Sequence, residues 1–232
     1  MQRATTVVIS GPLPASGLLP LGRLTEIADA LRAGGLAVLP TETGHLLASS
    51  VAAAHKAFAV KQRSPTNPMH VACSSLEMAA AYGRLDARAR RLLGEFTPGP
   101  LSVVVPALAG VDDPYVTLNG TIGLRVPDHP ATLQVISALG EPVTATSFNR
   151  SGQESAPVNR AALEAFDWRG EAVVHAVVDP DAVRHTQAST LVRITGPQPE
   201  ILRAGPVTAR QIEDVLARDN LGDEVVPQRL LH

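Results

Sequence analysis

The chain of 232 residues is poor in lysine, cysteine, aromatics and net charge, and each shortage excludes something. A formal charge of -2 argues against bulk electrostatic binding to nucleic acid, so any anion site has to be local. One Trp, two Tyr and four Phe are too few for a base-stacking platform on single strands. The single cysteine, Cys73, excludes an internal disulfide and fits a reducing compartment; it follows the apolar Val71-Ala72, which predicts burial. No apolar run approaches the roughly 18 residues of a membrane span. Near the N-terminus, Val7-Val8-Ile9 is too short for a secretory leader and Gly11-Pro12 breaks it. The expectation is a soluble, cytoplasmic chain with no membrane partner.

Familiar chemical signatures are missing as well. The sequence has no G-x-x-x-x-G-K-[ST] phosphate loop, no G-x-G-x-x-G fingerprint and no G-x-S-x-G elbow. Its seven histidines show neither H-E-x-x-H nor paired-Cys spacing, so no protein-held metal is expected.

What is present is an alternation of short strands and helices. Leu24, Ile27, Ala28 and Leu31 recur at helical spacing and stop at Gly34-Gly35. The run Leu36-Ala37-Val38-Leu39 reads as a buried strand, ended by Pro40-Thr41-Glu42-Thr43-Gly44. Residues 51–60 predict a helix, 69–73 a strand, and 75–95 one or two helices. Leu101–Val105, Ile122–Val126 and Val143–Thr146 predict strands, as do 173–178, 190–194 and 200–203. Pro130–Leu139 predicts a helix with proline in its first turn, and Thr208–Arg218 a final one. This interleaving implies an α/β (α+β) class with a mixed sheet. Residues 1–20 form an N-terminal strand and loop, 20–217 one catalytic domain, and 218–232 a loosely attached tail.

Three polar clusters stand where an apolar strand or turn ends, each with residues two apart: Thr41 and Thr43, Lys61 and Arg63, Ser147 and Asn149. The chain has only two lysines, Lys56 and Lys61, and one of them precedes Arg63 by two residues. Pro65 and Pro68 stop a helix there; on an extended segment Lys61 and Arg63 would aim an ammonium and a planar guanidinium at one spot, a pairing suited to phosphate or carboxylate. Arg125 interrupts an apolar strand and needs an anionic partner; Arg203 follows Ile201-Leu202 in the same way. Each cluster alone is also ordinary turn chemistry, and each arginine alone a structural ion pair. His45, beside the first cluster, reads as a hydrogen-bonding wall residue.

The order of the motifs carries more than any one of them. Gly34-Gly35-Leu36-Ala37-Val38-Leu39-Pro40-Thr41-Glu42-Thr43 resembles the G-G-x-x-x-x-P-T-[DE]-T opening of the YrdC-type threonylcarbamoyl-AMP synthases. Lys61-Gln62-Arg63 with Asn67-Pro68 is similar to the family's K-x-R segment, and Phe96-Thr97-Pro98-Gly99-Pro100-Leu101-Ser102 to its P-G-P-L-T turn. Gly123-Leu124-Arg125-Val126-Pro127-Asp128-His129-Pro130 resembles its G-x-R-x-P-x-H-P stretch, and Thr146-Ser147-Phe148-Asn149-Arg150-Ser151-Gly152 its T-S-A-N-x-S-G. Ser189-Thr190-Leu191-Val192 and Ile201-Leu202-Arg203-Ala204-Gly205 resemble its closing S-T-[VI] and I-L-R-x-G.

The resemblance implies a single domain with a twisted mixed sheet, flanked by helices, around a locally basic pocket. It implies a nucleotidyltransferase that joins L-threonine, bicarbonate and ATP into threonylcarbamoyl-AMP and pyrophosphate, with magnesium on the ATP phosphates. Partner transferase proteins would pass the product to adenosine 37 of tRNA; the charge balance gives little support for direct tRNA binding. Carried over by motif, Thr41, Thr43 and Arg125 bind substrate, Lys61 and Arg63 act on the carboxylate and phosphate groups, and Ser147, Asn149, Ser189 and Arg203 join them in holding ATP. The chain departs from the pattern at Gly44-His45-Leu46, where the family has a small apolar residue, an aromatic and a glycine, and at Phe148, where it has a small residue. These changes fall on the presumed pocket. Two further readings therefore stand beside the synthase: a related carbamoyl-adenylate, or nucleotide or RNA binding without turnover.

Overall fold

The computed structural model describes residues 5–64, 66–149 and 158–218. Strand β1 (Thr6–Ser10) and helix α1 (Leu21–Arg32) lead into β2 (Leu36–Thr41) and β3 (Gly44–Ala48). A turn of 3-10 helix then runs into α2 (Ala54–Lys61), followed by β4 (His70–Ala72), α3 (Leu76–Ala80) and α4 (Ala87–Phe96). The middle holds β5 (Leu101–Pro106), β6 (Thr117–Leu118), β7 (Thr121–Arg125), α5 (Pro130–Leu139) and β8 (Val143–Ser147). Last come α6 (Arg160–Glu164), β9 (Val173–Val177), β10 (Thr190–Arg193), β11 (Glu200–Arg203) and α7 (Ala209–Ala217).

Among the described residues the strands form one mixed sheet in the order β1-β9-β2-β3-β8-β4-β7-β5-β10-β11, with β6 beside β7. Pairing is parallel at β1/β9, β9/β2, β4/β7 and β5/β10, and antiparallel at the other neighbours. The expected mixed sheet flanked by helices is what the chain adopts. β2 shows why its sequence is an unbroken apolar run: Leu36 and Val38 enter one core cluster, while Ala37 and Leu39 enter the other. A strand covered on both faces has no polar side to alternate with. The smaller cluster packs Ile27 and Leu31 of α1 and Val135 and Ile136 of α5 against the sheet. The larger joins β5 and β7 to α4 and α7 through Leu92, Leu93, Ile212 and Val215.

Helix ends follow local chemistry. α5 begins on Pro130 and stops at Gly140, whose φ of 84° suits a residue without Cβ. Asp86 caps α4 by accepting the Ala89 N–H at 2.8 Å, and Thr208 with Gln211 forms a capping box at α7. Cys73 is buried as expected, and burial pushes its thiol up to about 12, leaving it an inert packing residue.

The stretch 75–95, expected as one or two helices, forms the two helices α3 and α4. Two local features depart from the expected elements. Gly44–Ala48, where no element was expected, is a strand hairpinned to β2, with Pro40 opposite His45 and Thr41 opposite Gly44. Lys61 does not lie on an extended segment: it ends α2, and Gln62 turns the chain with a left-handed φ of 53°. Arg150, Ser151 and Gly152 of the sixth motif, and the tail beyond residue 218, lie outside the described residues.

Candidate functional site

A cavity of about 590 Å³ opens over the middle of the sheet. The β2–β3 hairpin supplies Thr41, Thr43, Gly44, His45 and Leu46; β4, β7 and β8 supply His70, Arg125, Ala145, Thr146 and Ser147; β10 and β11 close the far side with Leu191 and Arg203. Arg63, Asn67, Thr186, Ala188 and Ser189 come from the connecting segments. Of the residues singled out in the sequence, Thr41, Thr43, Arg63, Arg125, Ser147, Ser189 and Arg203 therefore line one cavity.

Lys61 and Asn149 stand directly behind it. The Lys61 ammonium donates to the Ser147 carbonyl, to Asn149 Oδ1 and, at 3.1 Å, to Ser147 Oγ. Ser147 Oγ donates in turn to Asn149 Oδ1 at 2.6 Å. The side chain of Lys61 is 2% exposed. Burial, followed by the charge of Arg63, lowers its pKa to about 7. The expected grouping of Lys61, Arg63, Ser147 and Asn149 thus forms, by a route other than i, i+2 alignment. The left-handed Gln62 lets Lys61 reach β8 while Arg63 swings into the cavity. Arg63 is pinned there by the Asn67 carbonyl at 2.5 Å, Asn67 Oδ1 at 2.8 Å, the Pro68 carbonyl at 2.9 Å and Thr146 Oγ1 at 3.1 Å. That explains the asparagine and proline that follow the basic pair: they hold the guanidinium still.

Arg125 finds the anion its strand demanded in Glu42, with Nη2 2.6 Å from Oε1 and both side chains almost wholly buried. Glu42 Oε2 also accepts the Asp128 N–H at 2.8 Å, fixing the carboxylate from a second direction. The sequence carried the signal for this pair, since a lone arginine in an apolar strand requires a countercharge. Arg125 still has capacity to spare: its Nε is buried with no partner, and Nη2 lies 3.4 Å from Thr43 Oγ1. Thr41 Oγ1 donates to the Gly44 carbonyl at 2.8 Å and sits 3.3 Å from Thr43 Oγ1, so the hairpin presents two hydroxyls side by side. Across the cavity, Arg203 donates from Nε to the Ser189 carbonyl at 2.9 Å and from Nη2 to Ser189 Oγ at 3.1 Å. Ser102 Oγ, 3.0 Å from Ser189 Oγ, backs that contact.

The two departures from the motif pattern behave differently. Phe148 turns away from the cavity and stacks on Trp168 (ring centroids 5.6 Å apart), with Phe166 at 4.6 Å, anchoring the Ser147–Asn149 segment from behind. Its expected place on the pocket wall is therefore corrected. His45 and Leu46 do line the cavity. Burial, then the neighbouring His129, lowers the His45 pKa to about 4 despite Asp179 nearby. His129 Nε2 lies 3.0 Å from Asp179 Oδ2, tying the start of α5 to the segment after β9.

The sequence profile of the Sua5/YciO/YrdC family, described as telomere recombination, matches residues 29–205. This chain belongs to that family. It is 31% identical over 200 residues to the threonylcarbamoyl-AMP synthase of Bacillus subtilis, covering 84% of this chain and 56% of that relative. The chain thus spans little more than half the length of that protein. Among solved structures it resembles Pyrococcus abyssi Sua5 complexed with L-threonine, with a TM-score of 0.77 and 26% identity over 91% of this chain and 60% of that one. It shares its fold with Escherichia coli YciO at a TM-score of 0.75 and 21% identity, across 90% of this chain and 99% of YciO. The Pyrococcus abyssi relative that carries the same threonylcarbamoyl-AMP synthase name is 31% identical over 195 residues, covering 82% of this chain and 56% of that relative. Among the described residues no helix is long and apolar enough to cross a membrane.

Proposed function

We propose that this chain is an L-threonylcarbamoyladenylate synthase, converting L-threonine, bicarbonate and ATP into threonylcarbamoyl-AMP and pyrophosphate. The observation that carries the reading is the convergence of Arg63, Arg125 and Arg203 with the Thr41 and Thr43 hydroxyls on one cavity. The reaction needs that combination. The amine of L-threonine forms an N–C bond to bicarbonate with loss of water, giving threonine carbamate. An oxygen of that carbamate attacks the α-phosphorus of ATP, the new P–O bond forming as the bond to pyrophosphate breaks and pyrophosphate leaving with the electron pair. Two anions must meet, so fixed cations that lower their repulsion and hold them in line contribute most, and no enzyme nucleophile is required.

In this reading Thr41, Thr43 and Arg125 hold the amino acid, and Arg63 meets the phosphate oxygens. Ser189 and Arg203 hold the nucleotide. Lys61 sets Ser147 and Asn149 in place and presents a cation once phosphate arrives. Magnesium would enter on the ATP phosphates, since the described residues contain no group of three or more His, Cys, Asp or Glu to hold it alone. Threonylcarbamoyl-AMP would pass to a separate transferase for tRNA modification in the cytoplasm. A second reading is favoured by one feature: Leu46 and His45 in the cavity wall would select a different amine, giving a related carbamoyl-adenylate by the same chemistry.

The test is pyrophosphate release from ATP and bicarbonate, with and without L-threonine. Threonine-dependent release is expected. Release that depends on another amino acid supports the second reading, and no amine-dependent release from folded protein overturns both.

A further inference from the structure

His70 opens β4 on the cavity floor, paired through its backbone with Ala145 of β8. Its ring lies so close to β7 that a Cβ on Gly123 would come within 2.4 Å of the His70 Cδ2 carbon. A side chain at 123 would displace the imidazole, so the glycine of the Gly123-Leu124-Arg125 stretch is what gives the ring its place. Among the described residues no hydrogen bond reaches either ring nitrogen. The residue is half-buried and lines the cavity.

The charges around it are unusual for a histidine. Arg203 of β11, Arg63 of the segment after α2 and Arg125 of β7 all act on it. Among the described residues no carboxylate offsets them: Glu42 is committed to Arg125, and β8 presents the uncharged Ala145. Burial first, and those three cations second, hold its pKa down at about 3, so the ring is neutral at physiological pH. The arginines bring permanent charge to the cavity. His45, the other histidine of the wall, answers to His129 and Asp179 instead. Lys61 is engaged by Ser147 and Asn149 behind the wall.

We propose that His70 contacts the anionic part of the ligand directly and takes up a proton as that negative charge arrives. The inference rests on reading the cavity as an anion site, and adds to it a fourth cation that exists only when the site is filled. An incoming dianion reverses the field that keeps the ring neutral, and whatever favours the protonated ring favours the bound anion by the same amount. Ligand affinity then rises as pH falls, without any change in the ligand's own charge.

Sulfate is the suitable probe, because it stays a dianion across the working range and requires neither ATP nor turnover. In the full-length protein, the His70 Cε1–H resonance is followed by proton–carbon NMR against pH, assigned by its loss in His70→Gln. Without sulfate it should not titrate above about pH 5. With saturating sulfate its midpoint should rise by roughly two units or more. Wild-type sulfate affinity should increase about tenfold as pH falls from about 7 to about 4, and His70→Gln, which keeps a donor but cannot titrate there, should bind with that increment lost. An unmoved His70 resonance at saturating sulfate, the same pH dependence in His70→Gln, or no sulfate binding overturns the proposal. Sulfate binding with proton uptake in a protein that makes no adenylate would refute the synthase reading and leave this inference intact. Adenylate synthesis without proton uptake would do the reverse.

Discussion

Replacing Lys61 with methionine should make the protein more stable while removing its response to ATP. Lys61 is 2% exposed, and burial is the main reason its pKa falls from 10.5 to about 7. At 1.36 kcal/mol per pH unit that difference sets an upper bound of about 5 kcal/mol on the cost of keeping the ammonium charged. Methionine fills similar space without that cost. It also withdraws the donor from the Ser147 carbonyl and Asn149 Oδ1, a loss of about 1 kcal/mol for each hydrogen bond. The net expectation is a gain of about 1–3 kcal/mol at pH 6.5, or about 2–4 °C in Tm per kcal/mol.

The pH dependence separates this from generic repacking. The unfolded chain holds the Lys61 proton up to 10.5, the folded one only to about 7. Between those values the unfolded state binds more protons, so this group makes wild-type stability rise with pH. Its penalty is fully present below about pH 7 and fades as pH approaches 10.5. Urea unfolding at pH 6.5, 8 and 9.5 should therefore show Lys61→Met ahead of wild type by a margin that narrows as pH rises. ATP should raise the Tm of wild type and not of the variant. A variant less stable at pH 6.5, or a margin that does not change with pH, would refute the reasoning and make Lys61 a structural tie.

Other sites carry their own expectations. Glu42→Gln leaves the Arg125 guanidinium buried without its countercharge and should cost about 3–5 kcal/mol in urea unfolding. Gly123→Ala sets a methyl group against the His70 ring, and should cost about 1–3 kcal/mol while moving the His70 NMR signals. Thr208→Ala removes the capping box of α7 and should lower stability by about 0.5–2 kcal/mol, with no effect on ligand binding at a site built from other elements. The urea midpoint and an ATP thermal-shift titration would check the last of these together.

What the sequence made legible had local causes. β2 announced itself as an apolar run because both its faces are covered, and α5 by Pro130 at one end and Gly140 at the other. The motif order led to the family and to most of the cavity wall. β3 escaped because Leu46 and Leu47 are buried on opposite faces, which erases the alternation that marks a half-exposed strand. The route by which Lys61 and Arg63 meet was hidden in the φ of Gln62, a residue whose type does not favour the left-handed region. The direction of Phe148 depends on Phe166 and Trp168, which meet it only through the tertiary fold. His70 had no pattern of its own; the one available signal was Gly123, a residue without a side chain inside an apolar strand.

The central claim is that this cavity joins a carbamate to the α-phosphate of ATP, and the product itself is the most direct witness. The protein would be incubated with ATP, magnesium, L-threonine and carbon-13 bicarbonate, then analysed by mass spectrometry with Lys61→Ala as the control. The account predicts a threonine-dependent adenylate that carries the bicarbonate label and is missing with Lys61→Ala. Unlabelled AMP or ADP as the only nucleotide product, or an equal yield from the variant, would contradict it.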